Sequence, residues 1–119
     1  SCKPSSPVSV LQIHGTKDSV ISFTGGYLFG NAYPSARKTI DIWGQINECG
    51  KKPARVLPRL DLDRKIPGAE TTVLRYKGCK AGTNSELWTI DKGVHSPELS
   101  ATFADNVINF LLTHPKKSV

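Results

Sequence analysis

The sequence contains no apolar run approaching the roughly 18 residues that a helical membrane span requires, and no signal-peptide pattern opens it. Its three cysteines form no C-x-x-C pair, and no histidine spacing suits zinc, so a metal site is not expected. Basic residues are present without the features that would make them a nucleic-acid surface. No aromatics interleave them, no zinc-finger spacing occurs and no helix carries several arginines. Internal repeats and low-complexity tracts are also missing. The chain begins Ser1-Cys2-Lys3-Pro4 rather than with Met, from which a processed or truncated product is expected.

What is there describes a soluble globular chain. With 119 residues, 38% hydrophobic and 22% charged, it has room for one domain or a piece of one. The net charge of +6 gathers at Lys51, Lys52, Arg55, Arg59, Arg64 and Lys65, diluted by Asp61 and Asp63, with Lys116 and Lys117 at the tail. A solvated basic loop is the expected reading, and an anionic polymer or protein partner is the alternative use of that charge.

Val8 to Ile13 is a short run rich in β-branched residues that ends at Gly15, with Asp18 three residues further on. Such a run reads as a strand buried on both faces of a parallel sheet. At the carboxyl ends of such strands, ligands and catalytic groups collect. Ser35 caps an expected helix with Ala36, Ile40, Trp43 and Ile46 on one face, stopping between Asn47 and Gly50, which suits a crossover. Lys51 to Pro67 carries three prolines and shows no sustained period, so it reads as a surface excursion. Two strands, Ala69–Tyr76 and Ser85–Asp91, are expected to pair as an antiparallel hairpin. A final helix, capped by Ser100 or Thr102 and apolar at Phe103, Val107, Phe110 and Leu111 with Ala104 and Ile108 alongside, stops before Pro115. Cys49 and Cys79 both stand in turn contexts. A bridge between them is expected, which implies an oxidising compartment, secreted or periplasmic; two buried free thiols are the alternative. Cys2 is left over and hints at a partner outside the chain.

Asp18 and His95 each follow a strand through a glycine-bearing turn, so both are expected on the carboxyl edge of one sheet. A carboxylate that accepts from the imidazole fixes its tautomer and stabilises the imidazolium formed during proton transfer. A turn-capping Asp and a loop His are the bland alternatives. No G-x-S-x-G exists in the chain, and Ser19, Ser35, Ser85 and Ser96 lack the strand–turn–helix elbow of a nucleophile. His14 and His114 read as structural, one ending a buried strand and the other a helix.

Several stretches carry a resemblance: Pro7-Val8-Ser9-Val10-Leu11-Gln12-Ile13-His14-Gly15-Thr16-Lys17-Asp18, Gly25-Gly26, Leu87-Trp88-Thr89-Ile90 leading to Gly93-Val94-His95, and Val107 to Pro115. Together they resemble the polyhydroxybutyrate depolymerase and feruloyl esterase-like branch of the α/β-hydrolases. The resemblance runs over nearly the whole chain but only the C-terminal part of the family's domain. It implies that residues 1–119 are the C-terminal portion of an α/β-hydrolase fold, with parallel strands, a crossover helix, a hairpin and a C-terminal helix. It also implies that Asp18 is the triad acid and His95 the triad base, that Cys49 and Cys79 match family cysteines, and that the partner of Cys2 lies in the absent region. The chain departs from the family in Lys92-Gly93-Val94 before its His, where two or three glycines are usual, in Ser96-Pro97-Glu98 after it, and in lacking a proline after Asp18.

The resulting expectation is part of a secreted serine esterase acting on carboxylic esters, polyester or feruloyl-type, without cofactor, metal, nucleic acid or membrane. The nucleophile would come from an absent N-terminal half, and the isolated chain is expected to be inactive. An open sheet edge would be covered by that half or by self-association. A non-catalytic interaction module is the alternative.

Overall fold

The computed structural model describes residues 3–117, so Cys2 lies outside the described residues. Among the described residues lie six strands and two α-helices: β1 Val10–Gly15, β2 Gly26–Leu28, β3 Asn31–Tyr33, α1 Ala36–Ile46, β4 Ala54–Leu60, β5 Thr71–Tyr76, β6 Ser85–Ile90 and α2 Phe103–Thr113. Four strands form one mixed sheet in the order β1-β6-β5-β4, and β2 and β3 form a separate hairpin. β1 runs parallel to β6 in the register Val10↔Ser85 to Gly15↔Ile90, while β6, β5 and β4 form an antiparallel meander. The expected set of parallel strands is thus a single parallel pair. The crossover through α1 leads from β1 to the far edge, and the meander then brings β6 back beside β1.

The two helices cover opposite faces of this sheet. Val10, Leu87, Leu74 and Tyr76 pack with Ala36 and Ile40 of α1, whereas Leu11, Ile13, Val73, Trp88 and Ile90 pack with Phe103, Val107 and Phe110 of α2. Both faces of β6 are covered, so its polar residues Ser85 and Glu86 are buried along with Leu87, Trp88 and Ile90. β1 also places apolar residues on both faces, Val10 on one and Leu11 and Ile13 on the other, but is only half buried because it is an edge strand with one neighbour among the described residues.

Sequence chemistry accounts for the ends of α1. The Ser35 hydroxyl accepts from the Lys38 amide at 3.0 Å, satisfying an N-terminal donor. Gly44, a weak helix former, is accommodated because a Cβ there would press to 3.0 Å against the Tyr76 ring. Asn47 ends the helix and is fully buried. Its side chain accepts from the Val8 amide at 3.1 Å and donates to the Val8 carbonyl at 2.8 Å and the Ser85 hydroxyl at 3.2 Å. One amide therefore ties the approach to β1 to the start of β6.

Two elements escape the sequence pattern. β4 occupies the supposed basic excursion: Pro58 is tolerated on an edge strand, where the ladder can lose a donor, and the register shifts between Val56 and Leu60. The β2–β3 hairpin turns through Phe29 and Gly30, with φ of 50° and 77°, a left-handed pair normally signalled by Asn-Gly rather than Phe-Gly. In α2 the expected apolar face is narrower than its pattern. Phe110 is buried, but Leu111 and Ile108 are 61% and 52% exposed. Neither Ser100 nor Thr102 caps α2 by side chain; both hydroxyls donate to the Asp61 carbonyl instead, at 2.6 and 3.0 Å.

Cys49 and Cys79 form a disulfide between the end of α1 and the turn before β6, closing a 30-residue separation. Replacing both cysteines by serine is expected to cost roughly 3–4 kcal/mol through the freed unfolded-state entropy. Urea denaturation of the oxidised parent and the double variant measures this; equal midpoints would contradict it.

Candidate active site

Asp18 and His95 meet at the carboxyl ends of the two parallel strands because the turns following those strands are laced together. The Thr16 amide donates to the Ile90 carbonyl at 3.1 Å and the Lys17 amide to the Gly93 carbonyl at 2.8 Å. In return the Lys92 amide donates to the Thr16 hydroxyl at 2.8 Å. This interlock requires contact between backbones: a Cβ on Gly15 would collide with the Gly93 carbonyl, and one on Gly93 would sit 2.6 Å from the Ile90 side chain. Both glycines that punctuate the strands are thus needed for close approach, not for a special φ.

The Asp18 carboxylate is held at both oxygens. Oδ1 accepts from the amides of Val20 at 2.9 Å and Ile21 at 2.8 Å, closing the turn onto its own side chain. The His95 ring donates from Nδ1 to Oδ2 at 2.9 Å and lies 3.1 Å from Oδ1. Because a carboxylate only accepts, Nδ1 carries the proton and Nε2 presents its lone pair. The Asp18 side chain is 7% exposed and that of His95 is 45% exposed, so a sheltered carboxylate orients an accessible imidazole. Burial acts to raise the Asp18 pKa, but the His95 hydrogen bond and the Ile21 and Val20 amides outweigh it and hold the carboxyl down at about 2, against an ordinary 3.8.

A recess of about 230 Å³ opens beside the pair, walled by Ile13, Ile90, Val94, Pro97, Leu99 and Phe103. Larger cavities lie elsewhere, about 530 Å³ between β1 and the β2–β3 hairpin and about 370 Å³ among Ser5, Lys80 and His114, but neither contains the acid and base. Among the described residues, no hydroxyl or thiol hydrogen-bonds to His95, and no cluster of three or more His, Cys, Asp or Glu is arranged to hold a metal ion.

Of the other histidines, His114 fits its structural reading. Its Nδ1 donates to the Phe110 carbonyl at 2.8 Å, its Nε2 accepts from Asn84 at 2.8 Å, and the ring lies 4.5 Å from that of Phe110. His14 likewise fits its structural reading at the end of β1: its Nε2 donates to the Ile21 carbonyl at 2.8 Å and lies 3.3 Å from Asp18 Oδ2. The i, i+4 spacing of His14 and Asp18 could have signalled this only if the turn between them were known to fold back. The basic residues do not form one free loop: Arg64 and Lys65 both close on Glu98 at 2.9 Å, while Arg55 and Arg59 are exposed on β4.

A carboxyl held at about 2 when folded and near 3.8 when unfolded stabilises the fold above pH 4, and the stabilisation is lost as pH falls toward 2. The lost amount is roughly 2 kcal/mol. Asp18→Asn, which retains an oxygen for the Val20 and Ile21 amides, is expected to flatten the stability profile between pH 5 and pH 2 by that amount. Paired urea titrations across this range would show parallel profiles if the carboxylate were not so held. Gly15→Ala is expected to destabilise by about 1–3 kcal/mol through the backbone collision, read from the same denaturation at pH 7.

Over 100 residues, the sequence is 28% identical to feruloyl esterase B of Piromyces equi, a match covering 80% of this chain and 17% of that protein. The chain therefore corresponds to about one-sixth of the length of the curated relative it matches. No family model matches the chain, and no solved structure matches it significantly. The likeness is to an esterase, and it is distant.

Proposed function

We propose that this chain is the C-terminal part of a secreted serine esterase of the α/β-hydrolase fold, in which Asp18 is the acid and His95 the base of a Ser-Asp-His triad. The single observation that carries the reading is the Asp18–His95 hydrogen bond, made at the carboxyl edge of adjacent parallel strands with the Nε2 lone pair left for a nucleophile. The name of the distant relative supports ester chemistry, and the Cys49–Cys79 bridge suits an oxidising compartment.

In this reading, His95 Nε2 takes the proton of a serine supplied by sequence outside the chain as the serine oxygen bonds to the ester carbonyl carbon. The resulting imidazolium is stabilised by Asp18 and returns the proton to the departing alcohol. Water then repeats the sequence on the acyl-serine, releasing the acid. The substrate is a carboxylic ester of polyester or feruloyl type. The apolar recess beside His95 suits the hydrocarbon part of such an ester, and no step calls for a cofactor.

The nucleophile-bearing segment pairs along the open edge of β1. β1 is half buried with one neighbour among the described residues, and the β2–β3 hairpin leaves Tyr27 and Phe29 78% and 94% exposed. Self-association of the chain is the competing way to cover these surfaces. A model ester is expected to show only background hydrolysis with the 119-residue chain. A polypeptide extended upstream to include G-x-S-x-G should show turnover that His95→Ala lowers by about 10³-fold or more. An inactive extended polypeptide, or turnover by the short chain that His95→Ala abolishes, would overturn the proposal.

A further inference from the structure

We propose that Glu98 is a positioning residue for His95: with Arg64 it clasps the far end of the segment that carries the imidazole onto the connection between β4 and β5. The inference rests on the reading of His95 as the base and gives part of the basic stretch after α1 a place in the site.

His95 stands in residues 91–102, which link β6 to α2 without helix or strand. The near end of this link is laced to the turn after β1 through Lys92 and Gly93. Among the described residues, 94–97 makes no backbone hydrogen bond, and the His95 ring bonds to Asp18 alone. The span that bears the imidazole therefore hangs between two anchors, and the second is residues 98–100.

That anchor lies against the β4–β5 connection. The Arg64 amide donates to the Glu98 carbonyl at 2.9 Å and the Ser100 amide to the Leu62 carbonyl at 2.8 Å, around an isolated antiparallel bridge between Asp63 and Leu99. Side chains close the same contact: Arg64 Nε donates to Glu98 Oε2 at 2.9 Å, and the Lys65 ammonium lies 2.9 Å from Oε1. The Lys65 and Arg64 cations hold the Glu98 carboxyl below its ordinary range, so the clasp is charged at neutral pH. The connection is itself fixed from below. Leu62 is fully buried, and the Leu62 amide, the Asp63 amide and the Thr71 hydroxyl all donate to Oε1 of buried Glu70, at 2.9, 2.8 and 2.9 Å. A path of made hydrogen bonds thus runs from the start of β5, through 62–64, to a residue three positions beyond His95. The bridge sets the backbone there, and the carboxylate adds a charged link that salt weakens.

Glu98→Ala and Arg64→Ala remove the side-chain link and leave the backbone bridge, so both variants are expected to keep the parent urea midpoint. Ring-nitrogen NMR of the labelled 119-residue chain at mildly alkaline pH, where imidazole is neutral, reads the ratio of the Nδ1–H to the Nε2–H tautomer of His95. Nδ1–H is the form that Asp18 holds. In both variants this ratio is expected to fall about threefold, the scale of an exposed ion pair, and Glu98→Gln, which keeps an acceptor for Arg64, should lie between. Salt at about 1 M, with a Debye length of about 3 Å, should lower the parent's ratio toward that of Glu98→Ala and change the variant less; this titration stands alone should an alanine variant lose its urea midpoint. In the extended, nucleophile-bearing polypeptide, Glu98→Ala is expected to lower kcat about threefold with KM unchanged. A tautomer ratio unmoved by both alanine substitutions, or by salt in the parent, would overturn the clasp whether or not esters are hydrolysed. A lowered ratio with kcat unchanged in an active extended polypeptide would overturn the positioning role. A lowered ratio without ester hydrolysis by any extended polypeptide would overturn the esterase reading and leave the clasp standing.

Discussion

The contact between the backbones of Gly15 and Gly93 is the constraint on which the site depends. Parallel pairing of β1 and β6 places two strand ends side by side, but strand ends alone do not bring side chains 77 residues apart into hydrogen-bonding distance. That requires the following turns to approach until their amides and carbonyls exchange hydrogen bonds, and a single β-carbon at Gly15 would prevent it. Once the turns are interlocked, the positions of Asp18 and His95 follow from the sheet rather than from loop preferences.

Polar satisfaction is distributed to match. Asp18 is sheltered and accepts at both oxygens, so its negative charge is fixed in place and energetically settled. His95 is tethered at one nitrogen and open at the other. A fixed charge beside an accessible ring orients that ring, since a carboxylate so strongly stabilised as an anion has little tendency to take the proton itself.

Much of this was legible in the sequence where local chemistry and global position agree. The apolar run closing at Gly15, the Ser35 cap, the Asn47–Gly50 stop and the helix ending before Pro115 all lie within a few residues of the observed elements. The meeting of Asp18 and His95 was legible as two carboxyl-edge turns, though the role of the glycines as contact points was not. β4 was hidden because Pro58, Arg55 and Arg59 erase the alternation, which an edge strand can afford to lose. The hairpin was hidden because a phenylalanine occupies a left-handed position where residue preference gives no signal. His14 stands at the end of β1 as its structural reading expects, and its contact with the Ile21 carbonyl is invisible in the sequence because it depends on the turn folding back. Half of the α2 stripe, Ala104, Ile108 and Leu111, is exposed, because hydrophobicity at helical spacing does not say whether a neighbour exists to cover it.

The disulfide has a further consequence for the integrity of the chain. It fastens the C-terminus of α1 to the entry of β6 while β4 and β5 lie inside the loop it closes. A proteolytic nick in the exposed Lys51-Lys52 segment would therefore leave both products covalently joined. The outer two strands could still fold back onto β6, and the scission would become visible by size only after reduction.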